Sequence, residues 1–310
     1  MKADTRTSSP AGNIMLIVAT IIWGAGFVAK TAGMDFVGPF TFNAARFFIG
    51  GTMALGPALF FLRRQRRGDL RSPDIPRDIT KGTILAGFIC GTVLTVAINL
   101  QQSALLFTSV AKAGCITSLY VIMVPVVSLV FFKKKAPVAV WISVVIAMVG
   151  MYFLSLSGGM DINLGDILVF FCAMAFCAQI LLIGHFSPRH NVMALACVQF
   201  YTVFALSMIL ALIFETPSFT DLFAAGPYVL YTGVLSSGVA YILQMKAQKT
   251  TDSTIAAILF SFEAVVATLA GWLMLSQFLT PRELLGCALI FVAILAAQVP
   301  VGRKKAKVPR

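Results

Sequence analysis

Apolar runs of about 16–25 residues follow one another from residue 11 to residue 300, separated by polar turns. A backbone inside a bilayer must satisfy its own hydrogen bonds, so such runs can only be helices or the strands of a closed barrel. Barrel strands would alternate apolar and polar residues over ~10-residue segments, and these runs do not alternate. The sequence therefore predicts an all-α polytopic membrane protein with ten transmembrane helices. The spans fall at residues 11–33, 38–62, 82–105, 110–132, 137–156, 165–186, 192–214, 224–246, 253–275 and 282–300. Only 12% of the 310 residues are charged, about half the share in a soluble domain.

The net charge of +12 could suggest a nucleic-acid partner, but its distribution argues against one. With the N-terminus cytoplasmic, 20 of the 24 Lys and Arg fall in cytoplasmic segments. Arg63, Arg64, Arg66, Arg67, Arg71, Arg77 and Lys81 crowd one loop, Lys133, Lys134 and Lys135 another, and Arg303, Lys304, Lys305, Lys307 and Arg310 the tail. This is the positive-inside asymmetry of inner-membrane proteins. It predicts cytoplasmic termini, anionic lipid headgroups as partners of the basic loops, and no nucleic acid. The first span reads as retained rather than as a signal peptide. Cys90, Cys115, Cys172, Cys177, Cys197 and Cys287 all fall within spans without a CxxC pair, so packing thiols and no disulfide are expected. His185 and His190 share one turn, and no metal or cofactor constellation is visible.

The two halves of the chain repeat. A shift of 143 residues lays Ala97, Leu100, Gln101, Ala104, Thr108, Ala113 and Ser118 on Ala240, Leu243, Gln244, Ala247, Thr251, Ala256 and Ser261, 7 identities in 22 positions. A shift of 153 aligns the front of each half and lays Trp23 on Phe176 and Phe47 on Phe200. The extra ten residues sit in the long loop after the second span. The repeats are expected at residues 1–158 and 159–310. Each holds five spans, an odd number, so the second must cross the membrane upside down. Inverted repeats mark secondary transporters, with the substrate site near midplane between the halves.

Polar residues inside spans are costly and face a bundle interior or an aqueous path. Glu263 is alone in an apolar stretch, eleven residues after Asp252. That spacing puts it roughly 16 Å into a ~30 Å hydrocarbon core. It could exchange a proton, bind a cationic part of a substrate, or tie its helix to a neighbour. Arg46, near Asn43, needs an anion, carbonyls or water, and could hold a substrate carboxylate or snorkel outward. Lys30 and Lys112 could snorkel too, or form with Arg46 a positive outer vestibule. Gln101 and Gln244 are expected toward opposite faces, lining two alternating entrances or bonding neighbouring helices. Tyr120 is the counterpart of Glu263, so a coupling site there would be asymmetric. Trp23 is mid-span, far from the interfaces Trp usually occupies, and could line a cavity with Phe176 and Gln179. Gly87 and Gly91 form a GxxxG suited to close helix packing. Pro125 is expected to bend the fourth span.

With these residues in view, the chain resembles the EamA-type members of the bacterial drug/metabolite transporter superfamily over roughly residues 14–298. The resemblance rests on Trp23-Gly24-Ala25-Gly26-Phe27-Val28, Ala44-Ala45-Arg46-Phe47, Gln101, and Thr108-Ser109-Val110-Ala111-Lys112-Ala113-Gly114. It continues in Leu119-Tyr120-Val121, Pro125, Gly165-Asp166-Ile167-Leu168, Phe186-Ser187-Pro188-Arg189, Ser261-Phe262-Glu263-Ala264-Val265 and Gly286-Cys287-Ala288-Leu289-Ile290. It implies a ten-helix inverted-repeat carrier in a bacterial inner membrane, with a central cavity and alternating access. It also implies export of small solutes such as amino acids, with Arg46 and Glu263 on characteristic positions. The chain departs from the family at Ala264, where proline is usual and whose absence would straighten the ninth span. It departs also at Ser276-Gln277-Phe278-Leu279 and at Phe176. Competing readings are an uncoupled facilitator or exchanger, a membrane scaffold or sensor, and an intramembrane enzyme. No HExxH, GxSxG or phosphate-binding loop supports catalysis or ATP-driven pumping.

Overall fold

A computed structural model describes residues 9–66, 81–108, 110–133, 136–155, 163–275 and 280–298. Lys2, Arg6, the basic loop from Arg67 through Arg77, Ser109, Lys134, Lys135, Ser276–Leu279 and the tail from Arg303 to Arg310 lie outside the described residues. The ordered elements are helices: α1 (Pro10–Gly33), α2 (Pro39–Arg66), α3 (Lys81–Ala104), α4 (Val110–Thr117), α5 (Tyr120–Phe132) and α6 (Val138–Ser155) in the first half. The second half holds α7 (Leu164–Phe186), α8 (Val192–Phe214), α9 (Phe219–Ala224), α10 (Gly226–Tyr231), a π-helical segment (Thr232–Ala240), α11 (Tyr241–Ala247), α12 (Ser253–Phe260), α13 (Phe262–Leu275) and α14 (Pro281–Gln298).

Among the described residues, eight stretches are long and apolar enough to cross a membrane. Two shorter apolar helices, Val138–Phe153 and Leu284–Ala296, stand where the fifth and tenth spans are expected. The outside of the bundle is greasy in the way lipid requires, with Phe131, Leu212, Ile213 and Phe214 strongly exposed. The short helix α9, unforeseen in the sequence, carries Phe219 and Phe223 at 92% and 87% exposure.

Packing follows the repeat. α2 lies against α8, and α6 against α14, each pair made of equivalent helices from the two halves. α1 packs on the second half's third and fourth spans, and α7 packs on the first half's third and fourth. That exchange is what a two-fold axis between the halves produces. α3 approaches α8 through the GxxxG: a side chain at Gly87 would meet Val198, and one at Gly91 would meet Thr202 and the Gln199 carbonyl. The helix ends are tied by short polar bonds. Glu215, at the end of α8, accepts hydrogen bonds from the Phe40 and Thr41 amides at the start of α2, both at 2.8 Å. At the turn between α7 and α8, Thr83 meets His190 Nδ1 at 3.0 Å. There burial and the neighbouring Arg189 guanidinium hold the His190 imidazole below its usual pKa.

Two local expectations are corrected. Pro125 does not interrupt the fourth span: it lies within continuous α5, and the break comes earlier, at Ser118–Leu119. The ninth span is not straightened by Ala264, because it is interrupted at Ser261. Both junctions are tightened turns. Leu119 adopts φ −57° and ψ −18°, and Ser261 φ −60° and ψ −20°, values of 3₁₀ geometry. The amides of Val121 and Ala264 bond back three residues, to Ser118 and Ser261. Each serine hydroxyl also bonds a carbonyl of the preceding turn, Ser118 to Gly114 at 2.9 Å and Ser261 to Ile258 at 2.6 Å. Ser118 and Ser261 are equivalent under the 143-residue shift. The interruption therefore belongs to the repeat and does not depend on proline.

Candidate functional site

A cavity lies between the two halves of the bundle, lined by helices of both. Trp23 and Lys30 come from α1, Gln101 from α3, Thr117 and Tyr120 from the fourth span, and Phe176, Gln179 and Ile180 from α7. Tyr241 and Gln244 come from α11, and Phe260 and Glu263 from the ninth span. Eight of these twelve form four repeat-related pairs: Trp23 with Phe176, Gln101 with Gln244, Thr117 with Phe260, and Tyr120 with Glu263. The last two pairs flank the tightened turns on either side of Ser118 and Ser261, so those turns aim side chains of both half-helices into one space.

Glutamines from α3 and α11, each about one turn from the end of its helix, line the cavity. Gln101 lies one turn from the end of α3 and accepts a hydrogen bond from Lys30 Nζ at 3.0 Å. Gln102 donates to the Lys30 carbonyl at 3.1 Å, which fixes the α1–α3 contact. In the second half Gln244 donates to Gln179 at 3.1 Å and to Gln248 at 3.1 Å. Gln248 in turn donates to the Ile180 carbonyl at 3.0 Å. Gln179 Nε2 and Gln244 Oε1 have no hydrogen-bond partner among the described residues, which leaves an amide donor and an acceptor unpaired there.

Part of the wall is aromatic. Trp23 packs on Tyr241 with ring centroids 4.8 Å apart and on Phe260 at 5.3 Å. Its indole Nε1 donates to the Ser236 carbonyl of the π segment at 3.1 Å. A π turn leaves the local carbonyls out of the ordinary i→i−4 pattern and is frequent at functional sites. Here one such carbonyl anchors the tryptophan.

Charge breaks the symmetry of the scaffold. Lys30 and Glu263 are the charged groups of the cavity, and their repeat counterparts are Ile183 and Tyr120. Lys30 is buried and turned inward, its Nζ 4.5 Å from the centroid of the Phe27 ring, so it does not snorkel. Glu263 and Tyr120 line the same cavity as Lys30.

The structure thus gathers Glu263, Trp23, Lys30, Gln101, Tyr120, Gln179 and Gln244 from the sequence-derived candidates. Lys112 does not join them and makes no vestibule with Lys30. It bonds Asp166 at 2.6 Å, and Asp166 also accepts from Thr108 at 3.0 Å and closes a capping box with Asn163 at the start of α7. Arg46 and Asn43 lie behind the wall. Arg46 Nε donates to Asn43 Oδ1 at 2.8 Å, and Asn43 donates to Asn99 at 2.9 Å. Arg46 is fully buried rather than snorkelling, because α2 turns this residue toward the core beside Phe47. Sequence reasoning missed Thr117, Ile180, Tyr241 and Phe260 as lining residues. The repeat held the signal for two of them, since 117 and 260 flank equivalent serines.

Known proteins agree with this architecture. An uncharacterized transporter of Archaeoglobus fulgidus is 33% identical over 286 residues, covering 92% of this chain and 85% of its own. The uncharacterized transporter YoaV of Bacillus subtilis is 22% identical over 299 residues, covering 94% and 97%. A solved crystal structure superposes with a TM-score of 0.73 at 20% identity, covering 94% of this chain and 97% of that one, and shares the fold. The EamA-like transporter family matches twice, over residues 10–156 and 163–297. With two such repeats around one central cavity, the chain belongs to the EamA-like transporter family.

Proposed function

We propose that this transporter is a secondary carrier that exports a small polar or amphipathic metabolite, an amino acid or a similar solute, across a bacterial inner membrane by alternating access. The observation that carries the reading is the cavity's composition. A symmetric aromatic and amide lining is joined by one ammonium, Lys30, and one carboxylate, Glu263. A zwitterion matches that pair, its carboxylate toward Lys30 and its ammonium toward Glu263. The Trp23/Phe176 and Gln101/Gln244 pairs lend the lining similar contacts from either half, which suits a site opened alternately to each side.

Glu263 is the coupling residue in this reading. A carboxylate in a low-dielectric cavity exchanges its charge for a proton when its cationic partner is withdrawn or displaced. Solute counterflow in proteoliposomes, with and without a pH gradient, tests both claims. Labelled amino acids and small metabolites are expected to accumulate faster with the gradient. Glu263→Gln is expected to keep counterflow and lose the response to the gradient. A wild-type rate indifferent to the gradient would leave an uncoupled facilitator, with Glu263 held as the ionic partner of Lys30. No counterflow across the panel by folded protein would sink the small-metabolite reading.

A further inference from the structure

Among the described residues, and apart from the Lys112–Asp166 pair, three Lys, Arg, Asp or Glu side chains are buried: Lys30 at 4% exposure, Arg46 at 1% and Glu263 at 8%. Two cations against one carboxylate leave the core with a net charge of +1. Asp166, the other buried carboxylate, is committed to Lys112 at a helix start. Lys30 and Glu263, of opposite sign, line the same cavity, and Arg46 is the surplus cation.

Arg46 is also short of hydrogen bonds. A guanidinium carries five N–H donors. Only Nε finds an acceptor among the described residues, Asn43 Oδ1. Asn43 and Asn99 are occupied elsewhere: Asn43 donates to Asn99, and Asn99 donates to the Thr95 carbonyl and to Ser207 Oγ, both at 2.9 Å. The Phe47 face, 4.7 Å from the guanidinium carbon, offers a cation–π contact but accepts no such hydrogen bond. A guanidinium cannot shed its charge, so a buried one without an anion is costly.

A second orphan lies at the equivalent position of the other half. Gln199 occupies the place of Arg46 under the 153-residue shift. It is fully buried, and neither Oε1 nor Nε2 has a hydrogen-bond partner among the described residues. Phe47 and Phe200, the next residue in each helix, meet with ring centroids 5.8 Å apart. A two-fold axis between two such helices turns corresponding side chains to the same side of the pair. Arg46 and Gln199 each immediately precede one ring of that contact, and Tyr241 touches both rings of it while lining the cavity.

We infer that Arg46, with Gln199 as the flanking amide, forms an anion subsite behind Tyr241 that takes one monoanion. The ligand chemistry is a compact single negative charge: a chloride ion, or the carboxylate of an organic solute that reaches past Tyr241. Either would neutralise the surplus charge and accept the free guanidinium donors. The carboxylate source rests on the carrier reading; the chloride source does not.

The test reads stability rather than transport, so its failure and that of the carrier reading are distinguishable. Purified full-length protein in detergent is unfolded thermally and followed by circular dichroism. Potassium chloride or potassium acetate replaces potassium isethionate at constant ionic strength. The wild-type midpoint is expected to rise by several degrees in one or both of the first two salts. A response to chloride and not acetate assigns an inorganic ion, and a response to acetate and not chloride assigns a solute carboxylate. Arg46→Gln is expected to abolish the response. Arg46→Lys keeps the charge without the planar fork and is expected to raise the anion concentration needed at least several-fold; it serves also if Arg46→Gln does not fold. A wild-type midpoint equal in all three salts overturns the proposal. So does a response that survives unchanged in Arg46→Gln, or in Arg46→Lys.

Discussion

Trp23 joins packing to a single directed hydrogen bond, and substitutions separate the two. Trp23→Phe keeps most of the ring contact with Tyr241 and Phe260 and loses the bond to the Ser236 carbonyl. It is expected to cost about 1 kcal/mol. Trp23→Ala opens the cavity wall and is expected to cost about 3–5 kcal/mol. Midpoints of thermal unfolding check both, and equal losses would mean that the ring's packing contributes little. At this scale the sequence was partly legible. Trp23, Glu263 and the glutamines stood out because such residues are expensive inside a span. Lys30 and Lys112 looked alike, each a lysine near a helix end, yet they behave in opposite ways. Lys112 finds Asp166, 54 residues away, while Lys30 turns to Gln101, 71 residues away. Nothing local to either lysine encodes those partners.

Among the helices, the repeat places equivalent glycines at the two ends of the molecule. Gly165, at the start of α7, lies against the end of α3, where an added side chain would meet the Ala104 carbonyl and Thr108 Cβ at 2.9 Å each. Its equivalent Gly12, in α1, lies in the same way against Thr251 and the Ala247 carbonyl at the end of α11. Only the Gly165 end carries the Lys112–Asp166 ion pair, because Ile255 and Asn13 hold the matching positions at the other. Under alternating access these two contacts close opposite faces. Gly165→Val is expected to wedge one face open and raise labelling of Gln101→Cys by an impermeant maleimide several-fold. Gly12→Val is expected to do the same for Gln244→Cys from the other face, each in a background without the six native cysteines. The same labelling pattern in both wedged proteins would count against a two-faced carrier. The tightened turns at Ser118 and Ser261 sit between these contacts, where a mid-helix 3₁₀ turn commonly marks a hinge. Their position was hidden in the sequence because Pro125 drew attention and the serines did not.

For the molecule as a whole, five spans in each half force the second half to run opposite to the first. Charge then chooses the orientation. Arg63, Arg64, Lys81, Lys133, Arg189, Lys246 and Lys249 all fall at the end of the bundle from which α1 rises. The positive-inside asymmetry predicts that this end is the cytoplasmic one. A cysteine introduced at Phe219, on exposed α9, is therefore expected to react with an impermeant thiol reagent in intact cells. One at Arg189 is expected to react only after the membrane is opened, and the reverse pattern would invert the assigned topology.

Span number, helical class, the internal repeat and the asymmetry of basic residues were determined by the sequence alone, because each is a property of composition and spacing along the chain. Hydrophobic length selects helices, and an odd-numbered repeat selects inversion, whatever the side chains later touch. The cavity was decided only by the tertiary structure. Lys30, Gln101, Gln179, Gln244 and Glu263 come from both halves and converge because the two-fold packing of α1 and α7 on the opposite repeat brings them together. The π segment that anchors Trp23 likewise has no local signature. Its backbone is set where α1 and α2 press against it from the other half, and Gly233 and Gly238 admit that approach.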